Sequence, residues 1–185
     1  ETATATSLAR GPRLDPIADG LSQTYSVLTL EMPATASDAA ANQTLFDVDA
    51  DGYLEQTDWI SANHGLLAID RDLNNQIEAV ELLTLDETAL QGNARNSIQW
   101  LDANGDGVLD AADPAFTALR LWLDVNTNAT SDAGELLTLT DAGITAIDFR
   151  ANPPEILGAD GSRHALTLEA LTADIEGTRT SEIEQ

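Results

Sequence analysis

Four stretches of this chain set oxygen-bearing side chains at one alternating spacing, and that repetition constrains the fold more than any other feature. Each begins Asp-x-[Asp/Asn]-x-[Asp/Asn] and carries a further acid at position nine and another at position twelve. The first is Asp47, Asp49, Asp51, Glu55 and Asp58; the second is Asp70, Asp72, Asn74, Glu78 and Glu81. The third is Asp102, Asn104, Asp106, Asp110 and Asp113, and the fourth is Asp124, Asn126, Asn128, Asp132 and Glu135. Together they hold half of the 32 acidic residues, in a chain whose net charge is −24. Like charges at such spacing repel, so a fold that keeps these segments compact needs something to neutralise them.

The spacing suits a hard divalent cation. Ca²⁺ takes roughly 6–8 oxygens, and a tightly wound loop brings the side chains at positions one, three and five to one point. This is the EF-hand loop pattern. The backbone carbonyl of position seven joins the set, here Tyr53, Gln76, Val108 and Thr130, and the acid at twelve closes it. Position six turns sharply, which glycine does at little cost; Gly52 and Gly107 supply it in loops 1 and 3. Loop 2 has Asn75 there, which tolerates a left-handed backbone. Loop 4 has Ala129, where that conformation costs about 1–2 kcal/mol. Position eight normally carries an aliphatic residue that pairs with a partner loop; Leu54, Ile77 and Leu109 fit, and Ser131 does not. By pattern, loops 1 and 3 match best, loop 2 next and loop 4 least. The cofactor expected is Ca²⁺.

Composition narrows the rest. Cysteine is absent, which removes disulfides and thiolate metal sites, and all eight basic residues are arginine. The strong negative charge argues against nucleic acid and against insertion into or binding to anionic membranes. No apolar run approaches the ~18–20 residues of a membrane span. With 43% hydrophobic residues over 185 positions, one domain with a real core is expected. The start, "ETATATSLARGPR", has no apolar signal core and reads as part of a longer chain. The expected division is a linker over 1–14, a calcium-binding module over 15–176 and a tail over 177–185.

Local patterning predicts an α+β domain: paired EF-hand-like calcium loops, short helices, small strands and hairpins. "TYSVLTLEM" alternates and is β-branched, so a strand is expected there, and "LLAI" before loop 2 reads as another. Helices are expected in "EAVELLTL", in "PAFTALRLWL" with Asp113 as N-cap and Pro114 at the first position, in "ELLTLTDAGI" and in "EALTADI". The helix at 114–123 would join loops 3 and 4 into a pair. "TAIDF" reads as a strand and "EILGADGSRHALTL" as a hairpin turning at "ADG". The two histidines, His64 and His164, read as turn or surface residues. Trp59, Trp100 and Trp122 each flank a loop and read as core.

The segments "LFDVDADGYLEQTDW", "GLLAIDRDLNNQIEAVELL" and "LDANGDGVLDAADPAFTALRLWLDVNTNATSDAGELLTLTDAGI", in that order, resemble the self-processing module of Frp-type RTX secreted proteins over roughly residues 14–175. The resemblance implies EF-hand-like calcium loops, type I secretion to the extracellular space or cell surface, and calcium-triggered cleavage of an Asp–Pro bond at the module's N-terminal edge. Asp15 and Pro16 stand in that place, and the residues after them, "IADGLSQT", form a shorter stretch than the family's usual glycine-bearing acidic one. The chemistry is reasonable by itself. The Asp15 side chain can attack its own main-chain carbonyl to close a five-membered anhydride at high effective molarity, while the proline nitrogen leaves protonated. Water then opens the anhydride, or an amine traps it. The resemblance implies a lysine amine, which must come from another protein because this chain contains none. The alternative is a purely structural or dockerin-like adhesion module without catalysis. A cytosolic calcium sensor fits poorly, since its Met-rich groove has no counterpart in a chain with one methionine.

Overall fold

The computed structural model describes residues 21–32, 43–48, 50, 52, 54–84 and 98–175. Among them, eleven strands form two antiparallel sheets. The larger contains β1 (Leu21–Glu31), β2 (Gln43–Phe46), β3 (Glu55–Asp58), β4 (His64–Ile69), β6 (Leu119–Trp122), β7 (Leu136–Thr138) and β11 (Thr167–Ile175), in the order β2-β3-β11-β1-β4-β6-β7. The smaller runs β10-β9-β8-β5, built from β5 (Val108–Asp110), β8 (Ile144–Asp148), β9 (Glu155–Gly158) and β10 (Arg163–Ala165).

The α+β expectation is therefore corrected: the protein is mostly antiparallel β-sheet, and no described helix reaches seven residues. The reason is visible in "PAFTALRLWL". Pro114–Ala118 makes one 3-10 turn and the chain then extends as β6, between β4 and β7. There Leu119 and Leu121 face one side of the sheet and Trp122 the other, the period of two that a short apolar run shares with half a helix turn. "EAVELL" likewise forms only the 3-10 turn Ala79–Glu81, and "ELLT" extends as β7. "EALTADI" belongs to β11, paired along β1 from Leu21↔Ile175 to Thr29↔Thr167. The strands expected at 24–32, at "LLAI" and at "TAIDF", and the hairpin at "ADG", are present as β1, β4, β8 and β9–β10. Residues 1–20, with Asp15 and Pro16, lie outside the described residues.

Alternation along the central strands creates two buried faces. On one, Leu28, Leu30, Leu67, Ile69, Leu119 and Leu121 pack against Leu109, Ile144, Ile147 and Ile156 of the smaller sheet. On the other, Tyr25, Val27, Leu66, Ala68, Trp122 and Leu171 pack against Phe46, Val48, Trp59, Ile77 and Ala79. Among the described residues, no sheet covers the second face. Residues that enter, belong to or follow loops 1 and 2 cover it, with Ala129 of loop 4 packed alongside.

Candidate metal centre

All four loops turn alike. Position six has positive φ in each, at Gly52 (91°), Asn75 (59°), Gly107 (83°) and Ala129 (56°). Position four does the same, at Ala50 (61°), Leu73 (60°), Gly105 (73°) and Thr127 (56°). Sequence reasoning missed the second turn because only Gly105 announces it; Ala, Leu and Thr are poor residues for that conformation. Two left-handed residues so close together curl each loop around its own centre.

Loops 2, 3 and 4 also close alike. The carboxylate at position twelve is buried and accepts the backbone N–H groups of positions two and nine. Glu81 accepts from Arg71 (2.7 Å) and Glu78 (3.3 Å). Asp113 accepts from Ala103 (2.8 Å), Asn104 (3.4 Å) and Asp110 (3.1 Å). Glu135 accepts from Val125 (3.2 Å) and Asp132 (3.1 Å). Asp113 does begin the 3-10 turn with Pro114 behind it, but its side chain makes no cap and points back into the loop.

Loop 1 closes earlier. Its buried closing acid is Glu55, at position nine, which accepts the N–H of Val48 at 3.0 Å. Asp58 is not brought to the loop. It sits in β3 on the exposed side, opposite the buried side of Glu55 and Thr57, and accepts a hydrogen bond from Gln43 Nε2 (2.9 Å). Asp49, Asp51 and Tyr53 lie outside the described residues.

The first residue of each loop separates them further. Asp47 accepts from Gly52 N (3.0 Å). Asp102 accepts from Gly105 N (2.8 Å) and Gly107 N (2.9 Å), one on each oxygen. Asp124 accepts from Asn128 N (3.1 Å), Ala129 N (2.7 Å) and the indole N–H of Trp59 (2.6 Å). Asp70 is fully buried, and neither of its oxygens has a hydrogen-bond partner. The nearest cation is the Arg120 guanidinium, 3.9 Å from Oδ2, and Arg120 Nη1 is already committed to the carbonyls of Thr117 and Leu119. Ligand oxygens of Asp70, Asp72 and Glu81 lie within 4.8 Å of one another. Burial pushes the Glu81 carboxyl above its usual value; hydrogen bonds from Arg71 and Glu78 N–H oppose this, and the charges of Glu78 and Asp72 add to it.

The intermediate positions mostly brace the turns. Asp72 accepts from Asn74, Asn74 from Gln76 N, Asn104 from Asp106 N, and Asp106 from Val108 N. Asp110 accepts from Ala112 N, Asn126 from Asn128 N, and Asn128 from Thr130 N. Asp132 accepts from both the Asn126 and Asn128 amides. Glu78 and Gln76 are exposed.

The loops are not paired as expected. Loop 3 packs beside the smaller sheet, where Leu109 pairs with Ile147 and Phe149 N bonds to Gly107 O (3.2 Å). Loop 4 meets loop 2: Ile77 N donates to Ser131 Oγ (3.1 Å) and Gln76 Nε2 to Ser131 O (3.3 Å). Loops 1, 2 and 4 together line a cleft of about 510 Å³ through Asp47, Gly52, Leu54, Ile77, Glu78 and Ala129. No local pattern announced that Trp59 and Ser131 would touch another loop, since each contact spans more than fifty residues.

The SPM-domain family model matches residues 27–184. This chain belongs to the SPM-domain family. It is also 34% identical, over 146 residues, to the iron-regulated protein FrpA of Neisseria meningitidis serogroup C. That match covers 74% of this chain and 13% of FrpA, so the SPM domain here corresponds to a small part of a much longer protein. No described helix of this SPM domain is long and apolar enough to cross a membrane.

Proposed function

We propose that this SPM domain is a calcium-dependent folding module of a large secreted or surface-exposed RTX-type protein, and that its ordering activates cleavage of the Asp15–Pro16 bond. The observation that carries the calcium reading is Asp70. A carboxylate buried this completely with no hydrogen bond, and with only a long 3.9 Å contact to Arg120, is costly, and native structures rarely leave such oxygens without a hydrogen-bond partner. Its neighbours Asp72 and Glu81 add charge of the same sign, three carboxylates against one distant guanidinium, and a bound cation would offset the excess. All the candidate ligands are oxygens, the donor set that Ca²⁺ prefers.

The residues that would hold calcium are Asp70, Asp72, Asn74 and Glu81 in loop 2, with the corresponding positions in loops 3 and 4 and Asp47 and Glu55 in loop 1. When bound, calcium supplies positive charge that offsets the crowded carboxylates. The chain's own part is to hold the closing acids of loops 2, 3 and 4 by two or more backbone N–H groups, and Glu55 of loop 1 by the N–H of Val48, so that the oxygens converge before a ligand arrives. Ligation of the folded form alone stabilises it by about 2.7 kcal/mol per site at a hundredfold excess over Kd. A domain with this charge would stay loosely folded where free calcium is scarce and order itself outside the cell. The likeness to part of FrpA supports placing it within a longer exported chain.

Intact-mass spectrometry of the purified chain, with millimolar calcium against a chelator, tests the whole reading. Calcium-dependent loss of residues 1–15, abolished by Asp15→Ala, is the expected result. Calcium-induced folding with an unchanged mass would leave a structural module only. No folding response would overturn the calcium reading itself.

A further inference from the structure

Loop 4 is the least orthodox of the four by sequence, yet two of its buried polar side chains are bonded beyond it, one to loop 2 and one to the residue that follows loop 1. Ser131, at position eight, is 7% exposed and accepts the N–H of Ile77, the position-eight residue of loop 2. Asp124, at position one, is 1% exposed and accepts the Trp59 indole N–H. Trp59 directly follows β3, the strand that begins with the loop-1 closing acid Glu55. Its ring packs on Phe46, the residue before Asp47, with centroids 4.9 Å apart, and on Trp122, two residues before Asp124, at 5.5 Å. Among the described residues, no hydrogen bond joins loop 3 to another loop; its partners outside the loop belong to the smaller sheet, the turn after β8 and the 3-10 turn that follows Asp113.

We propose that Ser131 and Trp59 are positioning residues that make loop 4 a relay, so that loops 1, 2 and 4 fill with calcium as one cooperative unit while loop 3 fills independently. This rests on the calcium reading above. The physical basis is the asymmetry of buried hydrogen bonds: made, each adds little, but a buried donor left without its acceptor is costly. Ile77 N and Ser131 Oγ meet only when loops 2 and 4 are both closed. The Trp59 indole meets Asp124 only when loop 4 is closed and the β2–β3 hairpin is seated. Closing one loop therefore makes closing its neighbour easier, and the effect is reciprocal. Ser131 is thus the pairing device of loop 4, taking the place of the aliphatic residue usual at that position.

The experiment is a calcium titration of the full chain followed by ¹H–¹⁵N NMR, with separate reporters for each loop. Gly52 N–H reports loop 1, Ile77 N–H loop 2, Gly107 N–H loop 3 and the Trp59 indole N–H loop 4. In the wild type, the Gly52, Ile77 and Trp59 signals should follow one steep transition, and Gly107 a separate, simple one. Ser131→Ala should weaken the loop-2 and loop-4 transitions by about fivefold or more, flatten them, and leave Gly107 unchanged. Ser131→Thr, which keeps the hydroxyl, should restore the wild-type curves. Trp59→Phe keeps an aromatic ring but removes the donor, and should separate the Gly52 curve from that of Ile77. Ser131→Ala curves identical to the wild type, or shifted equally for all four reporters, would overturn the relay while calcium binding stands. Signals that ignore calcium altogether would overturn the calcium reading and the relay with it.

Discussion

Loop 2 and loop 3 start from nearly the same spacing and close by the same device, a buried acid gripping the N–H groups of positions two and nine. They differ in what surrounds the first residue. Both oxygens of Asp102 are occupied by N–H groups of glycines within its own turn. Asp70 has no such donors, sits beneath the surface, and faces Asp72 and Glu81. Loop 3 can thus hold its shape from internal hydrogen bonds, with Arg150 lying across Gly107 and gripping Asp148. Loop 2 crowds three carboxylates against the single distant guanidinium of Arg120, a conflict that a bound cation would relieve. The lesson is that near-identical ligand strings mark two grades of dependence, set by where the sheet buries position one.

The sharpest way to break this comparison is a sign reversal at Asp70. Asp70→Asn removes a buried carboxylate that accepts no hydrogen bond and crowds two others, so in chelator the variant should be more stable than the wild type, by about 1–3 kcal/mol. In millimolar calcium the same variant should be the less stable of the two, because it loses the contribution of the loop-2 ion, about 2.7 kcal/mol at a hundredfold excess over Kd. Asp102→Asn should lower stability under both conditions, since the amide cannot accept from both Gly105 and Gly107. Urea midpoints of the three proteins in the two buffers decide it. An Asp70→Asn variant destabilised in chelator would mean that Asp70 is satisfied without a cation.

A second contrast concerns backbone strain. Gly107→Ala should cost about 1–2 kcal/mol for its left-handed φ, and the new Cβ would also displace Arg150, whose Cγ lies 2.5 Å away. Gly52→Ala meets no neighbouring atom, so only the φ cost remains. Ala129→Gly runs the other way: it relieves a left-handed alanine at 56° and should stabilise the protein by up to about 1 kcal/mol. Thermal midpoints measured on one set of calcium-free samples would rank the three. A Gly52→Ala loss larger than that of Gly107→Ala would show that Arg150 is not packed as described.

The loops were the most legible part of the sequence, because ligand spacing is a local property of the chain. The left-handed turn at position six followed from Gly52, Gly107 and Asn75. The strands β1, β4 and β8 were legible from alternation, and the β9–β10 hairpin from its "ADG" turn. The helices were misread where a few apolar residues fit two periods equally. "LRLW" became a strand because β4 and β7 supply edges on both sides, which no local pattern encodes. Loop 1 offered two closing acids, Glu55 and Asp58. Which one turns inward was decided by the pleat of β3, where buried and exposed residues alternate and positions three apart face opposite ways. The pairing of loop 4 with loop 2 was hidden because the sheet order, β4 beside β6, sets which loops meet, and sequence adjacency pointed to loops 3 and 4.

The smallest effect, and the finest test of the contrast, is the direction of pH dependence in the two regions. Hydrogen bonds from the Arg150 side chain hold the Asp148 carboxyl down to about 2, with its backbone N–H and charge adding to this against some opposing burial. A carboxyl depressed by folding contributes stability that is present above its unfolded value, 3.8, and is lost as pH falls toward 2. Glu81 is shifted the other way, chiefly by burial. In calcium-free protein its contribution is present below 4.5 and is lost as pH rises through the elevated value. Acidification from neutral pH should therefore first relieve loop 2 and only later loosen the loop-3 side. Arg150→Ala should abolish the low-pH loss around loop 3 while leaving the loop-2 gain in place. Amide exchange of Gly107 and Ile77, followed from pH 7 to pH 3 in chelator, reads the two regions separately. Parallel loss of protection at both amides would show that loop 2 carries no uncompensated negative charge, and the difference drawn between the two loops would fall.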